Sequence, residues 1–162
     1  MRATRWLAAA VAAVLSGCAG AGTQPAIYPQ AVFDHRVSTS DVTVYWSCTQ
    51  AESQVLRVEG VVQNIGSGPV EFAQVELVAV SAQDRNVGST TASVREIVIQ
   101  TNQHSPFLLQ LRTLGDEARF DLYYWYYAGE AFGFGRPGRR EFRSMARDAC
   151  SPAQHRFPKA TP

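Results

Sequence analysis

From residue 41 onward the chain is composed of short alternations of apolar and polar side chains. Val42, Val44 and Trp46 alternate with Thr43, Tyr45 and Ser47, and the run ends at Cys48. Leu56, Val58, Gly60 and Val62 alternate with Arg57, Glu59, Val61 and Gln63. A period of two puts alternate residues on opposite faces of an extended strand, so both runs predict half-buried β-strands. The run 70–80 is also extended, but Phe72 falls on the opposite parity from Val75, Leu77 and Ala79, which predicts a bulge near Ala73 or Gln74. Further runs reach Ile97, Val98 and Ile99, then Phe107, Leu108, Leu109 and Leu111. The last begins at Arg119, with Phe120, Leu122, Tyr124 and Tyr126 set against Asp121, Tyr123, Trp125 and Tyr127.

Turn residues separate these runs: NIGSGP at 64–69 and QDRNVG at 83–88. With no helical period between the strands, six to seven strands predict an all-β antiparallel sandwich over 41–150. After Tyr127 the chain becomes glycine-rich, AGEAFGFGRPG, and then basic. The segment 139–148 reads as a short C-terminal helix whose Phe142 and Met145, three apart, would dock on the sheets. Residues 151–162 read as a disordered tail.

The first 17 residues have another texture. Arg2 and Arg5 precede an apolar run, 7–15, made only of Ala, Val and Leu. That run is too short to cross a hydrocarbon core of ~30 Å as a helix, so it predicts an export signal. It ends in Leu15-Ser16-Gly17-Cys18, which resembles the lipobox of bacterial lipoproteins. The resemblance implies cleavage before Cys18, diacylation of its sulfur, and attachment to a membrane through acyl chains. An ordinary secretory signal with an incidental cysteine is the alternative. In double-membraned bacteria an Asp after the lipidated Cys favours inner-membrane retention; Ala19 stands there, which implies the outer membrane, facing the periplasm. Residues 18–40, including AGAGTQPAIYPQ at 19–30, read as a flexible tether.

Without residues 1–17 the 162-residue chain has 145, enough for one domain with a sizeable core. Its formal charge changes from +1 to −1 when Arg2 and Arg5 are removed. Bulk charge therefore predicts no nucleic-acid partner. The distribution is uneven: 18–135 holds 6 Arg against 12 acidic residues, and 136–162 holds 7 basic against 2 acidic. In an oxidising compartment Cys48 and Cys150, left over once Cys18 is lipidated, predict a disulfide that staples the domain's end to its beginning. A metal or redox pair is the alternative, but no CxxC spacing exists and His35, His104 and His155 are isolated in sequence, so no metal or cofactor is predicted.

The segment FDLYYWYY places Phe120, Leu122 and Tyr123 at the spacing of the bacterial FxLYD domain. Upstream, Val58-Glu59-Gly60-Val61-Val62, then Asn64 and Gly66, then Asp84, Val87 and Gly88 are similar to the same family. The resemblance covers roughly 55–127 and departs from the family in placing Tyr124 where Asp is usual. It implies an immunoglobulin-like sandwich of the bacterial envelope and brings no reaction with it. Independently of the family, Gly60 in mid-strand suggests close approach of a bulky neighbour, for instance an aromatic ring of the last strand. Asn64 and Gly66 suit a reversal through φ > 0.

Candidate chemistry is confined to two surfaces. Both faces of the last strand are aromatic though the core needs only one, so Tyr123, Trp125 and Tyr127 form a candidate binding surface for a sugar or a protein. The competing reading has Phe132, Phe134 and the tail helix covering that ridge. Arg136, Arg139, Arg140, Arg143 and Arg147 form a candidate basic patch for anionic lipid, or pair with the acidic body. There is no GxSxG, HExxH or P-loop; Asp116-Glu117 reads as a loop, and His104-Ser105 lacks a third partner, so no catalytic residue is predicted. The expected function is that of a lipid-anchored, non-catalytic binding or structural module with an envelope protein or glycan as partner. An accessory subunit of a secretion or pilus machine is the alternative, and a cell-wall hydrolase a third.

Overall fold

The alternating runs become nine strands in the computed structural model, which describes residues 32–52, 54–129 and 140–151. They are β1 (His35–Ser38), β2 (Val42–Glu52), β3 (Val55–Asn64), β4 (Val70–Ser81), β5 (Asn86–Ser93), β6 (Val98–Ile99), β7 (His104–Arg112), β8 (Glu117–Ala128) and β9 (Arg140–Ala146). All pairings are antiparallel. Sheet I has the order β1-β2-β3-β7, and sheet II the order β5-β4-β8-β9 with β6 also paired to β4. The chain crosses between sheets after β3, β6 and β7, which locks the two layers together. Cys18 and the rest of the leader, with residues 18–31 of the expected tether, lie outside the described residues.

The inward parity of each strand builds one core between the sheets. Val44 and Trp46 from β2, Val58 and Val62 from β3, and Leu109 from β7 meet Val75 and Leu77 from β4 and Leu122, Tyr124 and Tyr126 from β8. Phe120 packs against this cluster without being fully enclosed. Gly60 is covered, as its mid-strand position suggests, but by Phe107 of the adjacent β7, not by an aromatic of β8. A Cβ there would lie 2.1 Å from the Tyr45 carbonyl oxygen and 2.7 Å from Phe107 Cζ. The bulge in β4 falls between Glu71 and Gln74. It turns Glu71 and Phe72 outward in succession, so that Val70 and Ala73 both reach the core.

Three expectations are corrected. The basic segment is not a helix: residues 140–146 form β9, which pairs with β8 from Leu122–Ala146 to Ala128–Arg140. Phe142 and Met145 therefore point to opposite faces. Phe142 stacks on Tyr126 at 5.3 Å, and Met145 is 40% exposed. The sheet also begins earlier than residue 41, because β1 lies within the stretch expected as a tether. Finally, neither Asn64 nor Gly66 reverses the chain through φ > 0. Asn64 instead is wholly buried and works through hydrogen bonds: its Nδ2 donates to the carbonyls of Gly68 and Ile99, both at 2.8 Å, and its Oδ1 accepts from the Gly66 amide.

The disulfide is formed as expected. Cys48 on β2 of sheet I is bonded to Cys150, just past β9 of sheet II, with Cα atoms 5.5 Å apart. The turn it holds is buried against Trp46, whose indole N–H donates to the Ala149 carbonyl at 2.7 Å. Asp121, buried on β8, accepts from the Asp148 amide at 3.0 Å and from Arg119 Nε at 3.2 Å, so the same turn is tied to both layers.

Candidate functional site

Alternation along β8 divides its aromatic run. Tyr124 and Tyr126 are in the core, while Tyr123, Trp125 and Tyr127 point away from it on the outer face of sheet II. Register fixes their neighbours. Tyr127 lies between Glu71 and Glu141, Trp125 between Gln74 and Arg143, and Tyr123 between Glu76 and Met145. Tyr123 is 36% exposed; Trp125 and Tyr127 are half-buried among these neighbours. The helix that would have covered the row is instead the neighbouring strand, extending the same face sideways. Phe132 and Phe134, the other candidates for a cover, lie outside the described residues.

Sequence reasoning missed one member of this surface. Phe72, on the bulge, is 47% exposed and its ring meets that of Tyr127 edge-on at 6.5 Å. Its backbone has φ 50° and its amide donates to the Ile97 carbonyl at 2.8 Å. A bulky residue in that left-handed region costs on the order of 1–3 kcal/mol, and such strain clusters at binding and switch positions. The parity break in 70–80 was the signal that could have found it. Beside it, Val98 pairs with Glu71 and is 38% exposed. The apolar band thus runs diagonally from Val98 and Phe72 through Tyr127, Trp125 and Tyr123 to Met145, with carboxylates at Glu71, Glu76 and Glu141.

The basic residues are dispersed by the strand. Arg136 and Arg139 lie outside the described residues. Arg140 has the inward parity and lines a cavity of about 190 Å³ with Asp41, Gly68 and Phe142. Arg143 faces outward and is paired with Glu141 at 2.5 Å, and Arg147 is exposed past the strand. At the far end of the face Arg119 bridges Asp121 and Asp84, and its hydrogen bond holds the Asp84 carboxyl below its ordinary range.

Several other polar groups are engaged within the fold. Tyr126 donates to Asp41 Oδ2 at 3.2 Å and lies 3.0 Å from Thr39 Oγ1; burial pushes its phenol up to about 12, so it stays protonated. Ser105 is buried and its hydroxyl is held by the Glu96 carboxylate and amide. Glu117 caps its own loop, accepting from the Leu114 and Gly115 amides. No group of three His, Cys, Asp or Glu able to hold a metal ion occurs among the described residues. On the outer face of sheet I, a groove of about 580 Å³ is lined by Val61, Pro106, Leu108, Glu59 and Arg95. One of its walls is the chain's own Val32 and Phe33, and Phe33 lies 6.4 Å from Tyr45 between ring centroids.

No family model matches the chain, and no curated protein matches it in sequence. Among solved structures it is similar to the GAE domain of yeast GGA1, with 11% identity and a TM-score of 0.46 over 70% of this chain and 97% of that one. It is also similar to the GAE domain of GGA2p from Saccharomyces cerevisiae, with 9% identity and a TM-score of 0.45 over 72% and 97%. Likenesses at these levels carry nothing about function. The β-sandwich assignment stands on the strands, register and core described above.

Proposed function

We propose that the protein is a lipid-anchored module of the bacterial envelope that binds a partner through the outer face of sheet II and catalyses no reaction. The observation that carries the binding reading is the aromatic band of Phe72, Tyr127, Trp125 and Tyr123, displayed on a face that the core does not use. Burial of such rings drives most recognition energy at protein surfaces. The anchoring reading rests on Leu15-Ser16-Gly17-Cys18 after a short apolar run, and the outer-membrane, periplasm-facing location on Ala19. Thirteen residues, 19–31, separate Cys18 from Val32 in sequence, so a tether there spans at most roughly 50 Å. Val32 and Phe33 lie over the outer face of sheet I, with Phe33 beside Tyr45, on the layer opposite the aromatic face. An immunoglobulin-like, FxLYD-type ancestry is part of the same proposal.

The test has two arms. Cys18→Ser should abolish labelling by a fatty-acid analogue and release the protein from membranes; a serine variant that stays with the outer membrane after a salt wash overturns the anchor. For the face, Trp125→Ala should weaken recovery of whatever co-purifies from gently solubilised membranes while leaving the fold intact. A partner lost on substitution at the Phe33 and Leu108 groove, and retained by Trp125→Ala, overturns the assignment of the face. Recovery as a stoichiometric part of a larger assembly would favour the machine-subunit reading over a lone binder.

A further inference from the structure

The aromatic band has a charge pattern that names its partner's chemistry. Among the described residues three carboxylates, Glu71, Glu76 and Glu141, stand in register with Tyr127 and Tyr123, and the guanidinium of Arg143 is engaged by Glu141. At the far end Arg119 and Arg147 stand against Asp84 and Asp121. Among the described residues the face is therefore apolar along its diagonal, with five carboxylates against three guanidinium groups beside it. Its rings are not a flat platform: Phe72 and Tyr127 meet at 88°, and the band ends in the aliphatic Val98 and the flexible Met145. Edge-on rings and a thioether suit interdigitating side chains, whereas stacking on sugar rings asks for coplanar, exposed aromatic faces.

We propose that this face takes a protein segment in which apolar side chains alternate with lysine or arginine, laid across β4, β8 and β9. The apolar side chains seat on Phe72, Trp125 and Tyr123, and a cation lies over Glu76. The inference rests on the binding reading above and adds the partner's class to it. The backbone strain at Phe72 belongs to the same picture, since the bulge holds an aromatic ring outward at a conformation that glycine would adopt without cost.

That conformation also supplies the decisive variant. Phe72→Gly removes the ring and relieves the backbone, so it leaves the melting temperature unchanged or higher while deleting the contact surface. The probes are a twelve-residue peptide alternating Phe or Leu with Lys, a matched peptide with Glu for Lys, and a neutral β-linked hexasaccharide, each titrated into the chain as purified from cells. Binding is followed by calorimetry and by backbone amide shifts. The Lys peptide is expected to bind with shifts confined to the outer face of β4, β8 and β9, and to weaken as salt is raised, because the pairs are exposed. Phe72→Gly and Glu76→Lys should each weaken it by about ten-fold or more, the loss expected of a central anchor or a reversed charge. Equal binding of the Glu peptide, shifts centred on the Phe33 and Leu108 groove, or no binding of the Lys peptide each overturn the proposal. Hexasaccharide binding at the same face overturns the partner class and leaves the binding reading intact. If the Lys peptide does not bind and Phe72→Gly or Trp125→Ala unfolds the domain, the band is structural and the binding reading falls as well.

Discussion

Replacing Gly60 by alanine adds one methyl group at the tightest point of sheet I. The new Cβ would stand 2.1 Å from the Tyr45 carbonyl oxygen and 2.7 and 2.9 Å from two ring carbons of Phe107. Carbon and oxygen tolerate little below 3.0 Å, so the Tyr45 backbone must retreat by about an ångström, and Tyr45 belongs to the strand paired with this one. Overpacking of this kind costs roughly 1–3 kcal/mol, and a weakened ladder hydrogen bond adds about 1 kcal/mol. Against this, alanine restricts the unfolded chain and returns roughly 0.4–1 kcal/mol. The net expectation is a loss of about 2–3 kcal/mol, read from urea unfolding followed by the fluorescence of Trp46 and Trp125. For a domain of this size it would lower the melting temperature by roughly 10 °C. Gly88→Ala is the control, because a Cβ there meets only Leu111 Cδ1 at 3.7 Å and should change little. Trimming the ring with Phe107→Leu should not rescue Gly60→Ala, since the shortest contact is to backbone. A Gly60→Ala protein within about 0.5 kcal/mol of wild type would refute the close approach.

Breaking the staple with Cys48→Ser and Cys150→Ser frees a loop of 102 residues, and the chain-entropy relation predicts a loss of about 4–5 kcal/mol; peptide mapping without reductant that finds two free thiols would remove the premise. Tyr124→Phe deletes a hydroxyl buried without a hydrogen-bond partner among the described residues, and should stabilise the domain by up to about 1 kcal/mol in chemical denaturation. His35 stacks on Trp46 at 5.5 Å; burial lowers its pKa, an effect that Asp34 and Asp148 oppose. Its neutral form is favoured in the folded state, so the unfolded chain binds the extra proton first, and stability is full above about pH 6.5 and falls as the pH drops below it. The melting temperature should decline on acidification through that window, and His35→Gln should flatten the decline; an unchanged slope in the variant would assign it to other groups.

The sandwich was legible where alternation was clean. The runs at 42–48, 56–63 and 107–111 give the inward sets of β2, β3 and β7, and the parity break at Phe72 gives the bulge in β4. What was not legible depended on partners distant in sequence. The segment 140–146, REFRSMA, has charged residues spaced as in an exposed helix, and it becomes a strand because the edge of β8 offers it a full ladder from Leu122 to Ala128. β1 is four residues long and acquires its identity only by pairing with β2. The role of Asn64 was misread for a related reason. Its sequence context is a turn, but its side chain reaches the Ile99 carbonyl, 35 residues away, and a buried amide so engaged fixes two crossings at once.

The same dependence explains how the aromatic strand can both build the core and carry the proposed binding face without conflict. β8 is central in sheet II, with β4 on one side and β9 on the other, so its backbone groups are committed on both edges and its position is fixed by the core. Tyr126 is held from within by Asp41 and Phe142, and Leu122 and Tyr124 are enclosed. The outward residues Tyr123, Trp125 and Tyr127 are therefore presented on an element whose position is fixed by its other face and by both neighbouring strands. A side chain pre-positioned in this way loses little conformational freedom when a partner covers it, so more of the burial energy is available for binding. On sheet I the corresponding outward positions, Tyr45 and Val61, are already buried, beside the chain's own approach through Phe33. The two faces of one sandwich differ in what covers them, and that difference is why the proposed recognition surface is placed on sheet II.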